Sequence, residues 1–277
     1  MTRRAAFFAG GVALSHSLRA RSRAFKIGVT DWNLRLTGKV EAVETAARLQ
    51  FEGVQVSLGR KVVGGKLPLD DLAVQQQYLT AAKIQKIALD GTCLDILHTN
   101  YLKNDKLGQK WVADSIPITK KLDARVVLLP FFGNGALKTR EEMHYVGDVL
   151  REIAPEAEKA GVILGLEDTI SAEDNVRIME RTKSPAVLTY YDVGNSTEAG
   201  FDVLKEIRWL GKDRICQIHL KDNPHYLGEG TIDFPAVIKA IEDIGFRAYA
   251  NLETACPSNS VDDDMARNLH YIRRLIG

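Results

Sequence analysis

From residue 25 onward, short runs of β-branched and apolar residues alternate with longer stretches whose apolar positions recur at helical spacing. These are the periods of a buried strand and of an amphipathic helix, and their regular alternation marks successive βα units rather than a sandwich. Eight strands are predicted, over residues 26–31, 53–58, 87–94, 125–130, 162–167, 186–192, 215–220 and 248–253. Helices are predicted between them, among them 40–50, 72–86, 140–160 and 234–244, with Gly161 and Gly245 standing where a helix C-terminus favours glycine. Strand starts fall roughly 25 to 38 residues apart. Eight such units close a single (β/α)8 TIM barrel. The competing doubly wound sheet would carry a glycine-rich first turn, whereas the turn after strand 1 reads Thr30-Asp31-Trp32-Asn33-Leu34. No linker or low-complexity tract interrupts residues 25–277, so one domain is expected there.

The first 24 residues differ in kind. They carry five arginines and no acid, begin Thr-Arg-Arg, and continue into the short apolar run 9–14. A twin arginine, an apolar segment and the small-x-small sequence Ser22-Arg23-Ala24 together predict an export signal, and hence a periplasmic protein. Read as a basic tail, the same segment leaves the chain cytoplasmic. The whole chain has 37 basic and 36 acidic side chains, a formal net charge of +1; without those five arginines the balance is 32 against 36, or −4. A mildly acidic body argues against a nucleic-acid partner, and no apolar run reaches the roughly 20 residues of a membrane span. Cys93, Cys216 and Cys256 lack CxxC spacing and lie in or just after apolar stretches, so neither a disulfide framework nor a zinc knuckle is expected.

In a barrel, the C-terminal ends of the strands converge on one mouth, and a polar residue that ends an apolar strand points into it. Strand 5 ends in Glu167, strand 6 in Asp192 and strand 8 in Glu253, and strand 7 carries His219. The intervals are 25, 27 and 34 residues, about one βα unit each. Taken singly, an acid after a strand is often the cap of the next helix and a histidine is often a core residue. In phase on four adjacent strands, three carboxylates and an imidazole would occupy one small volume, where the acids repel unless a cation neutralises them. One divalent metal ion is therefore expected. Such an oxygen-rich set suits Mn²⁺ foremost, with Mg²⁺, Co²⁺ and Zn²⁺ compatible.

The strings Gly165-Leu166-Glu167-Asp168, Asp192-Val193-Gly194-Asn195, His219-Leu220-Lys221-Asp222 and Leu252-Glu253, with the loop 227–234 after strand 7, resemble the xylose isomerase-like barrel superfamily of sugar phosphate isomerases and epimerases. The resemblance covers essentially residues 25–277. It implies that Glu167, Asp192, His219 and Glu253 hold the metal, that Glu167 and Glu253 form the acid/base pair of the epimerase branch, and that a homodimer is an assembly to expect. The endonuclease IV branch requires many histidines for three zinc ions. Of the six here, His16 lies in the N-terminal segment and His144 and His270 on predicted helices, leaving His98, His219 and His225.

Such a site takes a small carbohydrate or cyclitol. Polarising a carbonyl and its neighbouring hydroxyl acidifies the intervening C–H, and a carboxylate on either face moves the proton through an enediolate. Return to the opposite face is epimerisation and delivery to the next carbon is isomerisation. Expulsion of a β-substituent would instead make the protein a lyase or dehydratase acting on a keto sugar, keto glycoside or inosose; a non-catalytic sugar-binding barrel would need aromatics but not both glutamates. Candidate substrate contacts are Trp32, Gln55, His98, Phe131 with Phe132, Asn195, Lys221, His225 and Glu229. For Lys221 the plainer alternative is a salt bridge to Asp222. Phosphate recognition has only the weak signal of Gly64-Gly65-Lys66 behind it.

Overall fold

The computed structural model describes residues 25–276, so the proposed export segment and its cleavage site lie outside the described residues. Eight parallel strands form a closed ring in sequence order: β1 (Lys26–Thr30), β2 (Gly53–Ser57), β3 (Ala88–Cys93), β4 (Val126–Pro130), β5 (Ile163–Glu167), β6 (Val187–Asp192), β7 (Ile215–Leu220) and β8 (Tyr249–Leu252). β8 pairs with β1 over Lys26–Tyr249 to Val29–Leu252, which closes the (β/α)8 barrel. The helices are α1 (Glu41–Arg48), α2 (Leu72–Gln85), α3 (Lys106–Lys121), α4 (Arg140–Ala160), α5 (Ala172–Thr182), α6 (Val193–Glu198), α7 (Val203–Leu210), α8 (Phe234–Asp243) and α9 (Val261–Ile276). The predicted strands are all present within one residue or so at each end. The unpredicted element is α6, one and a half turns that start directly on Asp192, whose carboxylate caps the turn by accepting from Asn195 N at 2.7 Å.

Strand alternation sorts the side chains into two cores. Outward-facing Ile27, Val29, Val54, Val56, Val127, Leu129, Leu164, Leu166, Ile218 and Leu252 are fully buried against the helices, at about 1.5–3 kcal/mol for each large aliphatic group removed from water. Inside the ring a much smaller apolar cluster, Cys93, Val126, Leu128, Tyr190 and Cys216, leaves the rest of the interior to polar residues. The longest helix is well specified: Thr139 and Glu142 form a reciprocal capping box at the start of α4.

Three buried aspartates, Asp31, Asp90 and Asp168, give the fold a pH dependence. Burial pushes their carboxyls from 3.8 up to about 7, about 8 and about 7, against the pull of their hydrogen bonds. Each folded value lies above the unfolded one, so the contribution to stability is complete below about pH 4 and is lost as pH rises through 7 to 8. In chelator, the urea midpoint should fall between pH 5 and 8.5, and Asp168→Asn should flatten part of that fall; a midpoint that climbs over the range contradicts the assignment.

Candidate metal centre

Register brings the polar strand ends level. Asp192 pairs with His219 across β6 and β7, and Glu253, one residue past β8, still donates its N–H to Leu220 O at 3.2 Å. Glu167, Asp192 and His219 are buried and Glu253 is half-buried at the pocket wall. His219 Nδ1 lies 2.8 Å from Glu167 Oε1, 3.5 Å from Glu253 Oε2 and 3.6 Å from Asp192 Oδ2. Lys221, just beyond β7, sets its Nζ 2.7 Å from Glu253 Oε2 and 2.9 Å from Asp192 Oδ2. Its stem runs over Gly194, where a Cβ would fall 2.4 Å from Lys221 Cγ, so glycine in the first turn of α6 is what admits the lysine. Trp32 Nε1 donates to the other oxygen of Glu253 at 2.9 Å.

The charges shape one another. Burial raises Glu167 to about 7 even though His219 pulls it down. Burial would also raise Asp192, but Lys221 and His219 outweigh it and hold that carboxyl well below the usual range. His219 would be lowered by burial; Glu253, Glu167 and Asp192 instead push it up to about 10, and the same carboxylates raise Lys221. Two cationic groups thus stand among three acids. One potential ligand atom from each of Glu167, Asp192, His219 and Glu253 lies within 4.8 Å of the others, and Asp192 Oδ2 is met by the Lys221 ammonium at 2.9 Å. That donor set, three oxygens and one imidazole nitrogen on rigid strand ends, fits a hard or borderline divalent ion.

A cavity of about 290 Å³ opens over the cluster, lined by Trp32, Arg60, Cys93, Asp95, His98, Leu128, Pro130, Phe132, Glu167, Asn195, Lys221 and Glu253. Of the expected substrate contacts, Trp32, His98, Asn195 and Lys221 are on its wall, and His98 stacks on Phe132 at 6.3 Å between ring centres. Asn195 Nδ2 is buried without a protein acceptor. Gln55 is not on the wall: it is fully buried beneath His219, with Oε1 2.9 Å from Nε2 of the imidazole. Phe131 is likewise in the outer core, while Phe132 takes the pocket side. His225 and Glu229 are exposed on the loop after β7, where Glu229 pairs with Arg267. Lys221 does not pair with Asp222, which accepts instead from Gly230 N at 3.0 Å and so pins that loop. The Gly64-Gly65 tip is an exposed turn away from the cavity, with Lys66 3.5 Å from Asp70.

Arg60 and Asp95 are wall residues that the sequence pattern did not single out. Asp95 accepts from Ser57 Oγ at 2.5 Å and lies 3.8 Å from Arg60 Nε. Its only sequence signal is a polar residue two positions past an apolar strand.

An eight-stranded parallel barrel with a carboxylate and imidazole cluster at the C-terminal ends of β5 to β8 defines a barrel protein with a candidate metal centre. The chain belongs to the xylose isomerase-like TIM barrel family, whose signature matches residues 43–275. A curated relative, the 2-epi-5-epi-valiolone 7-phosphate 2-epimerase of Actinoplanes sp. (strain ATCC 31044 / CBS 674.73 / SE50/110), is 25% identical over 203 residues, 72% of this chain and 73% of the relative. Two solved structures share the fold at 16% identity each. D-psicose 3-epimerase from Clostridium cellulolyticum H10 has a TM-score of 0.77, covering 91% of this chain and 99% of its own. For 3-keto-D-glucoside 4-epimerase from E. coli the TM-score is 0.74, with 90% and 99% covered. Among the described residues no helix is long and apolar enough to cross a membrane.

Lys221 is the cation that keeps Asp192 and Glu253 together. Lys221→Met strands two acids in a dry site, where breaking a buried pair costs about 3–5 kcal/mol. The melting temperature of the chelator-treated variant should drop clearly by circular dichroism, and Mn²⁺ should restore more of it than it adds to the wild type. An unchanged melting temperature would show that the ion pair is idle.

Proposed function

We propose that this chain is a divalent-metal-dependent sugar epimerase or isomerase that moves a proton at a carbon beside a carbonyl, with Glu167 and Glu253 as the acid/base pair. One observation carries the reading: two glutamates reach the same cluster from β5 and β8, three strands apart around the ring, and each is fixed by different partners. Glu167 is tied to His219, and Glu253 is clamped through both oxygens by Trp32 and Lys221. The three relatives described above are named as epimerases, which supports the same class.

A divalent ion held by Glu167, Asp192, His219 and Glu253, with Mn²⁺ the favoured one, would polarise the substrate carbonyl and offset the charge that develops on its oxygen. The protein supplies the rest. Glu253, with its rotamer locked at the cavity wall, takes the proton from the substrate carbon, and the resulting enediolate is protonated by the second glutamate. Glu167 lines the same cavity and is held by His219, so it stands ready as that second carboxyl. Asn195 Nδ2 donates to a substrate hydroxyl, and Trp32 with the stacked pair His98 and Phe132 offers flat faces to the sugar's C–H side. Gln55 orients the imidazole from below instead of touching the sugar.

Glu253→Gln keeps a neutral oxygen for a cation but cannot accept the proton. It should bind Mn²⁺ by electron paramagnetic resonance yet exchange deuterium from D₂O into a bound keto sugar about 10²–10⁴-fold more slowly. Unimpaired exchange removes Glu253 as the base. Product NMR over free ketoses, their phosphates, inososes and 3-keto glycosides identifies the substrate, and an unsaturated product from any of them would replace epimerisation with elimination.

A further inference from the structure

Directly below the carboxylate cluster, the barrel interior holds a layer of polar side chains that do not line the substrate cavity: Gln55, Asp90, Tyr190, Gln217 and Asn251, each 6% exposed or less. An interior layer of this kind is ordinarily filled by Val, Ile and Leu. Four hydrogen bonds join its members to His219. Asn251 Nδ2 donates to Asp90 Oδ1 at 3.2 Å and to Tyr190 Oη at 3.1 Å, Tyr190 O–H donates to Gln55 Oε1 at 3.2 Å, and Gln55 Oε1 lies 2.9 Å from His219 Nε2. Gln217 Nε2 fixes the far end by donating to Asp90 O at 2.8 Å.

The chain has a direction, set at Asp90. Asn251 sets its NH₂, not its oxygen, toward Asp90 Oδ1, which therefore accepts, and a proton carried by Asp90 in this arrangement belongs on Oδ2. The second hydrogen of that NH₂ goes to Tyr190 Oη, which leaves the Tyr190 proton for Gln55. Gln55 Oε1 is thereby held facing the imidazole, and only a protonated Nε2 can meet it. The packing reserves this arrangement: a Cβ on Gly28 would lie 1.9 Å from Asn251 Oδ1 and 2.2 Å from Asp90 Oδ2, and one on Gly53 would lie 2.3 Å from Asp90 Oδ2.

We infer that Asp90, Asn251 and Tyr190 are positioning residues for the metal centre: by fixing the sense of Gln55 they keep the hydrogen of His219 on Nε2, so that Nδ1 is the nitrogen offered to a cation among Glu167, Asp192 and Glu253. The consequence for metal affinity rests on the metal reading proposed above; the hydrogen position does not. Tyr190 also packs its ring against His219 at 4.5 Å between centres and a tilt of 58°, so Tyr190→Phe preserves the packing and removes only the hydroxyl.

The test uses ¹⁵N-histidine-labelled full-length protein, with and without Zn²⁺, and Mn²⁺ titrations followed by electron paramagnetic resonance. In the wild type the His219 Nε2–H should be a downfield, slowly exchanging resonance in both states. Tyr190→Phe should lose that protection and bind Mn²⁺ about 10–100-fold more weakly, and Asp90→Leu, which removes the acceptor for Asn251, should shift both readouts in the same sense. A variant that melts lower yet keeps the protected Nε2–H and the wild-type affinity would reduce the layer to filling and overturn the inference. Should the wild type bind no Mn²⁺, the metal reading fails while the Nε2–H comparison still decides the hydrogen position.

Discussion

Three carboxylates drawn toward one imidazole in a dry barrel mouth form an arrangement that cannot stand without positive charge among them. At an effective dielectric of about 20, two like charges about 4 Å apart repel by roughly 4 kcal/mol, and three such groups compound the cost. Here Lys221 bridges Asp192 and Glu253, and His219 faces all three acids. The same concentration of negative charge that makes the site expensive would favour a cation of high charge density. An ion entering the cluster would have to satisfy the acids that Lys221 and His219 hold.

The surrounding structure serves this requirement at several levels. The four cluster residues sit on or directly beside strands, whose ladder leaves their Cα positions little freedom, while loops and helix starts supply contacts on the pocket side: Trp32 after β1, Lys221 after β7, and the capped turn of α6 on Asp192. The polar layer below the cluster costs the barrel apolar packing it would otherwise have, and holds the imidazole from the side opposite the pocket. Above, Asp222 draws the loop after β7 toward Gly230, so Lys221 leaves its strand beside a fixed neighbour.

The barrel and the cluster were legible in the sequence because both depend on period. Eight buried runs at near-constant spacing predict eight parallel strands, and the parity of a strand places a terminal acid on the inner or outer face without further information. Depth within the ring was not legible. Gln55 faces inward as parity requires but lies one layer under His219, a level set by the stagger of the strands and not by β2 alone. Parity also explains the exchange of Phe131 for Phe132: the β4 ladder runs on through Phe131 N, which donates to Glu167 O at 2.9 Å, so Pro130 and Phe132 face the cavity and Phe131 the helices. Where no period governs, the reading failed in both directions. The loop after β7 turns His225 and Glu229 away from the site, and Arg60 and Asp95 enter it from connections whose course the pattern does not record.

The bond from Trp32 to Glu253 spans 221 residues and crosses the seam where the last strand meets the first. The four clustered groups that could hold an ion all come from the second half of the chain, between residues 167 and 253. A chain emerging from the ribosome therefore has its four clustered groups only when β8 has been made, and the Trp32 contact only when β8 has found β1. The half barrel β5–β8 already carries all four groups and Lys221, so what closure of the ring adds is Trp32, the second partner of Glu253. Closing the seam is thus the step that fixes the second oxygen of Glu253, and the hydrogen-bonded site is complete only on a finished barrel.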